Sequence, residues 1–265
     1  MTVRLLEELT ELEKLNLVSL SYSRIGSMEG PFGCEAKYFY TYIAGEPRVF
    51  GEAATLGNVL HDVLEERLEP NVPITEELLE QLVQKYKEKL IEWDPENKIP
   101  EKLISEGDVM LSEFVDRHMG ESFPIAHKEM HFQIVVGRAL VSGYIDRVDV
   151  EGDKVVILDY KSGKNEVALK HIHNDLQLGI YALAAQKLFP GKEIHANLYY
   201  LRSGKIKGHL FSDDDLLSVQ NRLADAVDKL TTIQNFNTTS NSRICYWCDH
   251  AKSGACAIGV RRTSR

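Results

Sequence analysis

Two carboxylates and one ammonium carry the most chemistry in this chain. Asp159 and Lys161 stand two residues apart in Ile157-Leu158-Asp159-Tyr160-Lys161-Ser162-Gly163-Lys164, and Asp146 closes Gly143-Tyr144-Ile145-Asp146, thirteen residues upstream. Residues 155–158 form an apolar, β-branched run, the mark of a buried strand. Side chains alternate along a strand, so Asp159 and Lys161 share a face and leave the sheet together before the turn at Ser162-Gly163. An acid at the end of a buried strand is costly unless it is paired or binds metal. Two acids and a lysine on adjacent strands suit metal-dependent phosphodiester hydrolysis. The carboxylates hold a hard divalent cation, and the lysine balances charge on the attacking oxygen or the scissile phosphate. Asp146 also admits a plainer reading, a strand-end acid paired with Arg147, and Asp149 is expected to be solvated.

A second ligand set is soft. Cys245, Cys248 and Cys256 follow C-x2-C-x7-C, with His250 in the longer gap, and Cys34 lies over two hundred residues away. The chain has no other cysteine, which makes a closed set of four soft ligands. A structural Cys₄ zinc site is one use of such a set.

The elements that position these groups follow from periodicity. Residues 4–16 read as a charged amphipathic helix, followed by a loop containing Gly26, Gly30, Pro31 and Gly33 and an aromatic helix from Cys34 to Tyr40. Apolar residues recur at helical spacing over 52–68, and 75–92 and 101–118 are two more helices, separated by Pro95 and Pro100. From residue 128 the period becomes two. Strands are expected at 128–136, 139–150 and 154–160, with turns at Gly137-Arg138 and Gly152-Asp153. A helix over 167–188, a strand at 194–201, a further strand to Phe211, a helix over 213–233 and a polar linker at 235–241 complete the pass.

The 265 residues, 43% of them apolar, suffice for a core. No run of 18 apolar residues predicts a membrane span, and the charged N-terminus lacks a signal-peptide pattern. A soluble cytoplasmic protein with no membrane partner is expected, in which the cysteines stay reduced. The net charge of −9 argues against a general nucleic-acid coat but not against a local groove. Basic residues gather at the C-terminus as Arg243, Lys252, Arg261, Arg262 and Arg265, which reads equally as a solvated tail or as phosphate contacts.

Five motifs occur in order: Gly57-Asn58-Val59-Leu60-His61-Asp62-Val63-Leu64-Glu65, Gly143-Tyr144-Ile145-Asp146, Asp159-Tyr160-Lys161, Gln177-Leu178-Gly179-Ile180-Tyr181 and the cysteine set. Together they resemble the RecB-like branch of the P-D-(D/E)-x-K nuclease superfamily, and within it the iron–sulfur exonucleases, including the CRISPR-associated ones. The resemblance spans nearly the whole chain. It implies that His61, otherwise an ordinary helix histidine, is a metal ligand with Asp146, Asp159 and the Tyr160 carbonyl. The cation would be Mg²⁺ or Mn²⁺, and imidazole suits Mn²⁺ better. It assigns catalysis to Asp146, Asp159, Lys161, Gln177 and Tyr181, the last two on a flanking helix that helps hold DNA or the lysine in place. Glu129 is expected behind the ligands, Glu65 as an acid that orients the site or pairs with a nearby cation, and Lys164 as a phosphate contact or a solvated residue. For Cys34, Cys245, Cys248 and Cys256 it implies a [4Fe–4S] cluster stapling the chain ends.

The fold implied is α/β: a restriction-endonuclease-like core with a mixed central sheet flanked by helices. In this reading one nuclease domain covers 1–265, with the catalytic sheet at 128–211, a helical insertion at 70–120 and an iron–sulfur cap of 21–40 plus 241–258. The expected function is metal-dependent exonucleolytic hydrolysis of DNA, single-stranded, in repair, recombination or CRISPR adaptation alongside proteins of those systems. The reading from another class is a DNA-binding or assembly module in which cleavage is secondary.

Overall fold

The alternating run at residues 154–161 does form a strand, and it lies inside a mixed sheet. The computed structural model describes residues 2–30, 32–47 and 51–264; Pro31 of the predicted loop and Arg265 of the basic cluster lie outside them. Among the described residues seven strands occur: β1 Val3–Leu5, β2 Val18–Leu20, β3 Ile125–Val136, β4 Ala139–Glu151, β5 Lys154–Lys161, β6 Glu193–Tyr200 and β7 Lys205–Leu210. They pair in the order β1-β3-β4-β5-β6-β7, with β2 added to β4. β4 and β5 are antiparallel, while β5 and β6 are parallel, with Asp159 opposite Leu198. A parallel pair needs a crossover, and the helix between β5 and β6 supplies it. This is the mixed, helix-flanked sheet that the resemblance implies. Among the described residues no helix is long and apolar enough to cross a membrane.

The five longer helices are α1 Glu52–Arg67, α2 Glu76–Trp93, α3 Glu101–His118, α4 Leu176–Leu188 and α5 Asp213–Thr232. Two compact units divide the chain. One comprises Met1–Gly51, Ile134–Ser142 and Gln220–Arg265, and the other Glu52–Gln133 and Gly143–Val219.

In the larger unit, Leu56, Val59, Leu60, Val63 and Leu64 of α1 are all buried, as their i, i+3, i+4, i+7, i+8 spacing requires. They share a core with Leu82 and Tyr86 of α2, Met110, Leu111 and Phe114 of α3, and Leu158, Tyr160 and Tyr199 of the sheet. The segment expected as an insertion is therefore one wall of this unit's core. Thr75 caps α2 by accepting from the Leu78 N–H at 3.3 Å, and Pro100 opens α3. α4 is buried over most of its surface, and Gly179 permits it: a Cβ there would lie 2.4 Å from Val219 Cγ2.

The other unit corrects one expectation. Residues 4–16 are not one helix: β1 pairs with β3 through Val3 and Val136, a 3₁₀ turn covers Leu6–Glu8, and only Glu11–Lys14 is helical. The reason is a capping box. Thr10 Oγ1 accepts from the Glu13 N–H at 3.3 Å, while the Glu13 carboxylate takes the Thr10 N–H at 2.9 Å, so helix starts late. In the larger unit, the expected 167–188 helix is likewise a 3₁₀ segment at Leu169–Asn174 followed by α4. Asp175 opens α4 by accepting from the Leu178 N–H at 3.0 Å.

Candidate active site

The functional side chains of the larger unit enter from α1, β3, β4, β5 and α4. Arg147 and Leu158 face each other across β4 and β5, and Asp146 and Asp159 stand one step beyond that pair. Asp159 is 2% exposed, and Lys161 Nζ lies 2.5 Å from its Oδ2, so the shared face predicted from alternation is realised as an ion pair. Lys161 also donates to Gln177 Oε1 at 2.9 Å. Gln177 Nε2 donates to the Tyr181 hydroxyl at 2.9 Å, and that hydroxyl reaches Asp159 Oδ1 at 3.5 Å. Asp159, Lys161, Gln177 and Tyr181 thus close a ring, made possible because positions four apart on α4 share a face.

A second group lies on the other acid. Asp146 Oδ2 accepts from the Tyr160 N–H at 2.7 Å and lies 3.3 Å from His61 Nδ1. His61 Nε2 is 2.8 Å from the Tyr160 carbonyl oxygen. A carbonyl only accepts, so Nε2 carries the hydrogen and Nδ1 turns its lone pair toward Asp146. A backbone carbonyl fixing the tautomer of a histidine is the usual arrangement behind a metal ligand. Ligand atoms of His61, Glu129 and Asp146 all lie within 4.8 Å of one another. Glu129, expected behind the ligands, therefore stands among them, while the Tyr160 carbonyl is engaged by His61.

Electrostatics follow from this crowding. Burial, and next the Asp159 charge, hold the Asp146 carboxyl well above the usual range. Burial, then Asp146 and Glu65, push Glu129 up to about 7. Burial lowers His61, which keeps its imidazole neutral. Crowded acids beside a neutral imidazole form a site that a divalent cation would relieve, and an oxygen-rich set with one nitrogen suits Mg²⁺ or Mn²⁺. Glu129 reaches the group from a strained backbone, φ +44°, inside β3. Such a residue re-aims its side chain at a cost of roughly 1–2 kcal/mol.

Asp149, expected in solvent, is buried. Arg147 Nε and Nη2 donate to its two oxygens at 2.8 and 2.6 Å, and Arg147 Nη1 donates to the Tyr160 hydroxyl at 3.2 Å. Arg147 is thus the partner of Asp149, not of Asp146, and it fixes the tyrosine between the two site residues of β5. Lys164 pairs with Glu106 at 3.3 Å. Glu65 is raised by burial and then by Asp62, against Lys128. Sequence reading missed Arg202, whose Nε donates to the Ser162 carbonyl at 2.6 Å while Nη1 reaches Glu106 at 2.7 Å, so it anchors the turn after Lys161. Its one signal was a lone cation at the end of a buried strand.

In the smaller unit, Cys34, Cys245, Cys248 and Cys256 line one cavity with Tyr40, His250 and Thr239. Cys34 Sγ accepts from the Thr239 N–H at 3.3 Å, across 205 residues, and Cys256 Sγ from the Gly259 N–H at 3.3 Å. Arg262 Nη1 lies 3.9 Å from Cys245 Sγ. Backbone N–H groups and a guanidinium directed at sulfur stabilise thiolates, so these cysteines fit a thiolate-held metal group. His250 Nε2 pairs with Thr41 Oγ1 at 2.7 Å, and its ring lies against Tyr40.

Comparison with known proteins agrees with this geometry. The family model of the PD-(D/E)XK nuclease superfamily matches residues 19–253. None of the curated proteins matches the sequence. Among solved structures, a "Putative exonuclease" from Eubacterium rectale superposes with a TM-score of 0.54 at 12% identity, covering 86% of this chain and 85% of that one. At that identity the likeness concerns the fold. SSO0001 superposes with a TM-score of 0.35 at 18% identity, covering 77% of this chain and 94% of that one.

Proposed function

This chain belongs to the PD-(D/E)XK nuclease superfamily, and we propose that it is a deoxyribonuclease acting exonucleolytically on single-stranded DNA with Mg²⁺ or Mn²⁺. One observation carries the chemistry: the Asp159–Lys161 pair stands on the strand next to Asp146, which shares a compact ligand group with His61 and Glu129. His61, Glu129, Asp146 and Asp159 would hold the cation. When bound, it supplies Lewis-acid stabilisation of charge on the phosphate. Lys161 is held by Asp159 and Gln177 where its ammonium meets charge developing during attack, and a group fixed in advance needs no reorganisation at that moment. Tyr181 and Gln177 keep the lysine in place.

Single-strand preference, attack from an end and roles in recombination, repair or CRISPR adaptation rest on the resemblance of the motifs. The designation of the Eubacterium rectale neighbour supports the exonuclease reading. The cysteine cavity is read as the seat of a [4Fe–4S] cluster, supported by the sulfur hydrogen bonds and by ligands drawn from both ends of the chain.

Anaerobically purified protein and end-labelled single- and double-stranded DNA test these readings together. The expected result is Mn²⁺- or Mg²⁺-dependent release of short products from single strands, with iron and not zinc in the protein. Internal cuts would replace the exonuclease reading, and stoichiometric zinc without iron would replace the cluster.

A further inference from the structure

The chain carries a net charge of −9, yet residues 241–265 hold five arginines and lysines against one acid, Asp249. Within this stretch Ser242–Cys245 is helical, and the Trp247 N–H returns to the Ile244 carbonyl at 3.1 Å, so residues 243–247 make one helical turn. Ile244 and Cys245 are buried, whereas Arg243 is exposed, Tyr246 is 49% exposed and Trp247 is 75% exposed. Positions three and four apart share a helix face, which places Arg243 beside both rings.

Folding does not account for this display. A tryptophan three-quarters in water contributes little burial, and large exposed aromatic groups mark binding surfaces. Among the described residues, neither ring stacks on another protein ring, and no carboxylate lies within ion-pair distance of exposed Arg243, Lys252 or Arg261. Most other lysines behave differently: Lys85, Lys89, Lys128, Lys164 and Lys207 all hold acids. Flat π faces sharing a turn with Arg243, which no carboxylate neutralises, match a polymer that offers unstacked bases along a phosphate backbone.

We infer that the Arg243–Tyr246–Trp247 face is a binding platform for single-stranded DNA, with Trp247 and Tyr246 stacking on bases and Arg243 holding phosphate. This rests on the reading of DNA as the substrate and adds a binding surface made of residues other than the hydrolytic ones.

The test uses the full-length protein without added divalent cation, so that no cleavage occurs. The chain has two tryptophans, and Trp93→Phe leaves Trp247 as the sole reporter. A thymidine homopolymer is expected to quench Trp247 fluorescence saturably, and an equal length of blunt duplex to quench it far less. Trp247→Ala should weaken homopolymer binding about five- to 150-fold, since stacking on one base contributes roughly 1–3 kcal/mol. Trp247→Phe, which keeps a π face, should retain most of the affinity, with the metal content of the cysteine site unchanged in both variants. Arg243→Ala should lower the salt slope of binding by about 0.7. Wild-type affinity in Trp247→Ala, absent quenching, or equal quenching by duplex each overturns the platform. A protein that cleaves with Mn²⁺ but shows no quenching loses this proposal and keeps the nuclease; one that quenches and never cleaves does the reverse.

Discussion

The carboxylate site and the cysteine site solve opposite problems. The first draws hard ligands from α1, β3, β4 and β5, all of them inside the larger unit, and pays for crowding with carboxyls held above their usual range. The second draws soft ligands from residues 34 and 245–256 and directs backbone N–H groups at two of the sulfurs, those of Cys34 and Cys256, donors that suit metal-bound sulfur. Acids placed together without such donors repel, and that repulsion is what a cation relieves. One site is thus built to be incomplete alone, while the other is built to hold its ends together.

The largest expected effect falls on the second site. Cys34→Ala should lose bound metal as completely as Cys248→Ala, with a clear fall in Tm, because a clip closing so long a loop removes much of the unfolded chain's freedom. Elemental analysis and thermal melts read this. Full metal in Cys34→Ala would make that cysteine only a buried thiol and end the contrast. Metal in the cysteine site should be unchanged in Asp146→Ala.

Next comes Arg147→Met. It strands the buried Asp149 carboxylate, and losing one partner of a buried pair costs roughly 3–5 kcal/mol. A denaturant midpoint unchanged from wild type would show that Asp149 finds water or another donor.

Lys161→Ala should lower single-turnover cleavage by about 10²–10³ at saturating DNA, the usual loss for one oriented group, while affinity changes little. A lysine that merely touches phosphate would give the reverse: weaker binding, a flatter salt slope and an unaltered rate.

The smallest effect concerns pH. Glu129 is raised from an ordinary 4.5 to about 7, so the folded protein holds its proton more tightly than the unfolded chain does. Its contribution to stability is full below 4.5 and is lost as pH rises through about 7. A cation displaces that proton, so Mn²⁺ affinity should climb over the same window and level off above it. Melts of metal-free protein and Mn²⁺ titrations at several pH values read both trends. Glu129→Gln should flatten the first and weaken the second, and a wild-type pH profile in that variant would remove Glu129 from the ligand group.

How much of this was legible depends on locality. The shared face of Asp159 and Lys161 follows from alternation alone, and the Gln177–Tyr181 face from helical spacing. Asp149 was misread because alternation gives a face but not what covers it; its cover comes from distant segments and from Arg147. Glu129 was under-read because its left-handed backbone breaks the period of two on which strand reading rests. The early helix was misread because Thr10 and Glu13, only three residues apart, delay it. Arg202 acts on the Ser162 carbonyl across forty positions, a contact that no local pattern encodes.

We hold the buried acid next to Lys161 indispensable to metal-dependent cleavage by this chain. Single-turnover cleavage of end-labelled single-stranded DNA by wild type and Asp159→Ala, both folded and both with the cysteine site metallated, tests it most directly. The account predicts Mn²⁺-dependent cleavage by wild type, abolished by chelator, and none above background by Asp159→Ala. Cleavage by a well-folded Asp159→Ala protein at the wild-type rate would contradict it.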